Sequence, residues 1–279
     1  MYKDLLVDTT GLGDDDAAFA AALDLARADS GHVTVLVQAR APVLAMSNWG
    51  GLPAVNAYVE ACAAAHLEAE SRCGHWRERL DAAGLPGEVR QANDLLAAPP
   101  RTAAMQARCC DLVVLGRAAA RQLPPLLHDE FATVLAGAGR PVLAMPAGHG
   151  GHIEGPAVIG WRPGAQAARA VHDALPLLRR ASAVHVVCVD PGRDADAHGP
   201  DPGADLARHL ARHGLAVEVH VADSAGGTVA DALLRRCREF GAALLVLGGY
   251  GHSRVAEAVL GGTTRHVFRD AVLPVLFSH

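Results

Sequence analysis

Lysine is almost missing from this chain. The only one is Lys3, and arginine supplies the rest of the positive charge. That excludes two chemistries at once. A phosphate-binding P-loop needs a Gly-Lys pair, and none occurs. A Schiff-base enzyme needs a buried lysine, and Lys3 is poorly placed for one. No apolar run of about 18 residues is free of charges, so no membrane span is expected. Met1-Tyr2-Lys3-Asp4 leads straight into a strand-like run, which predicts a chain without a signal peptide and a cytoplasmic location. The six cysteines lack the density of a disulfide scaffold, and reduced thiols are expected. No Gly-x-Ser-x-Gly elbow and no His-Glu-x-x-His appear, so hydrolase and metalloprotease readings lack their signatures. A formal charge of −5 gives no basic face for nucleic acid.

Hydrophobic residues make up 51% of the 279 and charged residues 20%, enough apolar material for a packed core. Much of it is alanine, which favours helices lying close on a sheet. The length allows one large α/β domain or two smaller ones. An internal repeat decides for two. Asp111-Leu-Val-Val-Leu-Gly116 matches Ala243-Leu-Leu-Val-Leu-Gly248. Each is a short apolar run ending in glycine, as buried parallel strands are. Each is followed by a helical stretch and a proline-led strand, from Pro141 and from Pro274.

Upstream the halves agree as well. Strands are expected over 2–9, 32–40 and 87–93 in the first half and over 157–161, 184–190 and 215–222 in the second. Helices are expected over 15–29 and 98–109, and over 165–180 and 228–240. Each half therefore reads as alternating strands and helices, the pattern of a parallel doubly wound sheet. The first half alone carries a long insertion at 41–83. The second has a loop at 191–204 and a short helix at 205–213. The run between Pro146 and Pro156 is rich in glycine and reads as a linker. The expected domains are 1–146 and 156–279, joined by 147–155.

One constellation points to chemistry. The second-half strand ends Gly248-Gly249-Tyr250-Gly251, nine residues follow, and then come Gly261-Gly262-Thr263-Thr264-Arg265. Glycines at a strand end let the backbone approach a phosphate. A glycine pair before a helix exposes free N–H groups, and threonines there cap the helix or donate to phosphate oxygens. Both stretches belong at the carboxyl edge of a parallel sheet, where open α/β folds bind ligands. The plain structural alternative is a tight strand exit and a helix boundary.

The spacing Gly-x-x-Gly-x9-Gly, followed by hydroxyl side chains and a Pro-Val-Leu strand, resembles the ATP-binding signature of the universal stress protein family. The resemblance spans both halves. It implies two repeated five-stranded parallel-sheet domains of Rossmann type, like the adenine nucleotide α-hydrolases. It implies ATP, AMP or ADP, with Mg²⁺ as a companion, at Gly248, Gly251, Gly261, Gly262, Thr263 and Thr264. Backbone around Val189 is then expected at the adenine. It implies a nucleotide-dependent stress-response switch with an unknown protein partner, at most a slow ATPase. The apolar fifth strands, at 142–144 and 275–277, need covering. Family members dimerise there, so the halves are expected to pair as a built-in dimer, packed face to face, and the whole chain to form a homodimer.

Three departures from the family pattern stand out. Gly262 occupies a position where ATP-binding members have Ser or Thr. Arg162 stands where they carry a carboxylate near the ribose; it cannot accept a hydrogen bond, although it can pair with phosphate. In the first half the second glycine is absent after Gly116, and Asp14, Asp15 and Asp16 gather at a helix start, where they suit the dipole and repel phosphate. Asp8 does follow the first strand, as in the family, but the first half reads as a domain without nucleotide. A nucleotide-free interaction scaffold is the alternative function. An adenylyl-transfer enzyme is less favoured, since a His-x-x-His motif after the first strand is missing. No metal site is expected: Cys62/His66, Cys73/His75 and His209/His213 are pairs without an evident third ligand. Cys109-Cys110 read as packed rather than redox-active.

Overall fold

The computed structural model describes residues 1–40, 52–92, 99–119, 124–194, 199–250 and 262–279. In the first half β1 (Asp4–Thr9), α1 (Asp15–Asp29), β2 (His32–Gln38), α2 (Leu52–Ala83) and β3 (Gly87–Ala92) follow one another. Then come α3 (Pro99–Ala107), β4 (Leu112–Gly116), α4 (Pro125–Gly137) and β5 (Val142–Met145). The second half runs β6 (Ala157–Gly160), α5 (Ala165–Leu178), β7 (Val184–Val189), a 3-10 turn (Pro191–Asp194), α6 (Ala204–Arg212) and β8 (Val217–Ala222). It ends with α7 (Val229–Glu239), β9 (Leu244–Gly248), α8 (Gly262–Asp270) and β10 (Val275–Ser278). The strands expected from the sequence are present and in the expected order.

All ten strands among the described residues form one sheet, in the order β3-β2-β1-β4-β5-β10-β9-β6-β7-β8. Within each half the pairing is parallel. The halves meet where β5 pairs antiparallel with β10, Leu143 opposite Leu276. The expectation of two sheets packed face to face is thus corrected. The apolar fifth strands do cover one another, but edge to edge, because each has unpaired N–H and C=O groups as well as apolar side chains to satisfy. The antiparallel joint also reverses the second half, so its carboxyl edge lies beside the amino edge of the first.

Helices cover both faces. One buried cluster joins α1, α2, α5 and α6 to the sheet, and the other joins α3, α4, α7 and α8. Each cluster runs through both halves. The inner strands β1, β4, β5, β9 and β10 are buried on both sides, which is why they read as apolar runs, whereas the edge strands β3 and β8 are largely exposed and carry polar residues. Alanine lets α1 lie low on the sheet: Ala17, Ala18, Ala21, Ala22 and Ala26 are all buried.

The glycine-rich run before β6 is tied down. Gly148 N–H donates to Asp14 Oδ2 at 2.7 Å, Nδ1 of His152 lies 2.8 Å from Asp24 Oδ1, and Ile153 is buried. All six cysteines are free. Burial pushes the Cys110 and Cys188 thiols up to about 11 and Cys237 up to about 12, so these are unreactive packing groups. No helix among the described residues is long and apolar enough to cross a membrane.

Candidate functional site

The carboxyl ends of β7, β6 and β9 lie side by side. Gly160 is opposite Val187 on one side and Leu247 on the other. This register puts Val189, Arg162 and Gly248 on one sheet edge. Val189 is half-buried and ends β7, paired with Ala222. The next residue, Asp190, has a left-handed backbone (φ +48°) and its N–H donates to Ala222 O. Its carboxylate accepts from the N–H and hydroxyl of Ser224 at 2.9 and 2.6 Å. Arg162 is exposed in the loop between β6 and α5.

Gly248 has a packing reason to be glycine. A Cβ there would stand 2.6 Å from Ala167 N and 2.8 Å from the Gln166 carbonyl carbon, inside the first turn of α5. Gly116, its counterpart in the first half, is tighter still: a Cβ would stand 2.0 Å from Asp14 O at the start of α1. In both halves the fourth strand therefore ends in glycine because the first helix of that half begins against it.

Beyond Gly248 the chain turns. Gly249 N–H donates to Ser278 O at 2.7 Å, and Nδ1 of His279 lies 3.1 Å from Gly249 O. Tyr250 adopts φ +52° and its N–H points to Thr264 Oγ1 at 3.4 Å. Burial raises the Tyr250 phenol above its ordinary range, and its hydroxyl has no hydrogen-bond partner among the described residues. Thr264 is buried and ties the strand exit to α8. Gly262 opens that helix: it is exposed, and a Cβ there would meet nothing within 4 Å among the described residues. Thr263 is half-buried. Gly251 and Gly261 lie outside the described residues.

The carboxyl edge of the first half is built differently. Asp14 caps α1 by accepting from Ala17 N–H at 2.9 Å. Asp16 pairs with Arg79. Asp15 accepts from Thr10 N–H and Gly11 N–H at 3.1 and 2.8 Å and pairs with Arg72 at 3.3 Å. Burial outweighs these partners and pushes the Asp15 carboxyl up to about 6. Deeper in, Asp8 is fully buried at the end of β1. Gln38 Nε2 bridges two carboxylates, 2.6 Å from Asp8 Oδ1 and 2.9 Å from Glu130 Oε1. Arg40 closes the network on Glu130 Oε2 at 2.8 Å. Burial, then the charge of Glu130, raise the Asp8 carboxyl well above the carboxylate range. Asp8 Oδ2 has no partner among the described residues.

Sequence reasoning noted Asp8 but passed over Gln38, Arg40 and Glu130. A signal for Glu130 was there. It occupies a core position in the stripe Leu127, Glu130, Phe131, Val134 of α4, where an unpaired carboxylate is costly. Gln38 and Arg40 have no such signal, because their partners come from elements far along the chain.

Residues 162–279 match the Universal stress protein family. Among solved structures, the chain is similar to a universal stress protein from Archaeoglobus fulgidus DSM 4304. The TM-score is 0.71 and the identity 17%, over 99% of this chain and 96% of that one. A functionally unknown protein from Pseudomonas aeruginosa PAO1 is 18% identical with a TM-score of 0.61, covering 99% and 92%. A putative universal stress protein from Pseudomonas aeruginosa UCBPP-PA14 is 16% identical with a TM-score of 0.58, covering 99% and 93%. No curated protein matches the chain. The fold over the full length is therefore that of universal stress proteins.

Proposed function

We propose that this is a tandem universal stress protein that binds an adenine nucleotide in its second domain and acts as a cytoplasmic stress-response switch. The domains are 1–146 and 156–279, joined by 147–155. ATP, or AMP or ADP in its place, lies across the carboxyl edge of β6, β7 and β9. Its phosphates face Gly248, Gly251, Gly261, Gly262, Thr263 and Thr264, with Mg²⁺ where ATP is bound, and its base lies near Val189. Arg162 contributes charge to the phosphates.

The carrying observation is the Tyr250-to-Thr264 contact, which holds the strand exit against the start of α8. It supports a site that Gly249-Tyr250 and Gly262-Thr263-Thr264 share, within the region that matches the family. Free N–H groups at the start of α8 suit a phosphate. Thr264 acts by positioning, and the ligand contacts fall to the backbone and Thr263. Hydrolysis is slow at best, since no described residue is poised as base at a terminal phosphate.

The test is calorimetric titration of Mg²⁺-ATP into wild type and G262D. The substitution puts a carboxylate into open space at the helix start, so it repels phosphate without crowding described neighbours. The expected result is one saturable site per chain, weakened at least tenfold in G262D. No heat and no thermal stabilisation at millimolar ATP sinks the switch. The scaffold reading then stands, and the arginine at 162 and the lost hydroxyl at 262 favour it.

A further inference from the structure

A second cluster of chemistry-bearing side chains lies away from the glycine turn, on β7 and β8. In this parallel pair His185 is opposite Glu218, and His220 stands two residues further along β8. Residues two apart on a strand share a face, so all three side chains emerge together. Nδ1 of His185 and Nε2 of His220 are 3.1 Å apart. Each of these two atoms is also 3.6 Å from the same oxygen, Glu218 Oε2.

We propose that His185, His220 and Glu218 form a divalent-metal site of the zinc class, with the fourth position open to solvent. The triangle has the right size. Zinc binds imidazole and carboxylate at about 2.0 to 2.1 Å, so tetrahedral ligand atoms stand about 3.3 to 3.4 Å from one another. The three observed separations bracket that edge. Two imidazoles and one carboxylate are also the donor set that leaves zinc an open position.

The surroundings suit a preformed site. The Phe240 ring stacks on His185 with centroids 4.1 Å apart and lies 4.7 Å from that of His220. This holds both imidazoles in place on an apolar floor. β8 is the last strand of the sheet, so solvent reaches the cluster from its free edge. The side chains of His185, His220 and Glu218 are 12%, 26% and 71% exposed, so the metal has an entry path. Arg236 lies nearby, and its guanidinium pairs with Glu239 at 2.7 Å. The site is independent of the nucleotide reading.

The test uses the full chain, stripped with a chelator. Co²⁺ titration is followed by visible absorption, and Zn²⁺ affinity by competition with a chromophoric chelator. Wild type is compared with H220Q, E218Q and H209Q. Glu218 is too exposed for E218Q to disturb the fold, which keeps the test meaningful if H220Q loosens the edge strand. The expected result is one equivalent of tetrahedral Co²⁺ displaced by Zn²⁺. Affinity falls at least tenfold in both H220Q and E218Q and is unchanged in H209Q. Zn²⁺ also raises the Tm of wild type and not of H220Q. Absence of saturable binding below about 100 μM overturns the proposal, and the two histidines are then simply hydrogen-bonded. Binding that survives both site variants overturns it as well, since the metal is then held elsewhere.

Discussion

The rings of Phe131 and Phe268 stack 4.0 Å apart and 12° from parallel, one from each half of the chain. Phe277 meets Phe131 edge-on at 4.9 Å. Beside them Arg117 is buried and donates to the carbonyls of Phe268 and Leu273 at 2.8 and 3.0 Å. Tyr2 OH donates to Asp173 O across the same joint at 2.6 Å. A ten-stranded sheet with an apolar seam of this kind has no natural plane of separation.

The seam predicts that the two halves unfold as one cooperative unit. F268A and F131A are each expected to destabilise the chain by about 3 to 5 kcal/mol through the cavity they leave. Guanidinium unfolding followed by circular dichroism checks this. One transition that moves as a whole is the expected outcome. Two transitions, with only the mutated half shifted, would show that the halves fold separately.

G248A reads out packing even without a ligand. G248A drives a Cβ into the backbone of α5, with 2.6 Å to Ala167 N. It is expected to cost at least about 1 to 3 kcal/mol, with or without nucleotide, and G116A to behave alike against α1. Thermal melts of the apo protein read the effect directly. A wild-type Tm for G248A would refute the packing role.

Asp15 predicts a pH dependence. Its folded carboxyl is pushed up to about 6 from 3.8 by burial. Between these values the folded state holds more protons than the unfolded one, so stability falls as pH rises from about 4 to 6. D15N removes this contribution, on the order of 2 to 3 kcal/mol across the window, and flattens the curve. Chemical denaturation of both proteins at several pH values decides it. Equal slopes would mean that Asp15 does not titrate where its burial places it.

The sequence by itself determined the elements and their order. Strands buried on both faces must be continuous apolar runs, and helices on them must show an apolar stripe, so β4 and β9 announced themselves and everything else followed by spacing. It also marked the glycine turn at 248–250, because only glycine lets the strand end against the first turn of α5. Tertiary structure alone decided how the halves meet. Edge-to-edge and face-to-face packing bury the same apolar strands, and only the pairing of backbone groups between β5 and β10 tells them apart. The same holds for the sites. His185 and Glu218 are 33 residues apart and Gln38 and Glu130 are 92 apart, so nothing local in the sequence marks them as neighbours. Parallel register brought the first pair together, and the packing of α4 on the sheet brought the second.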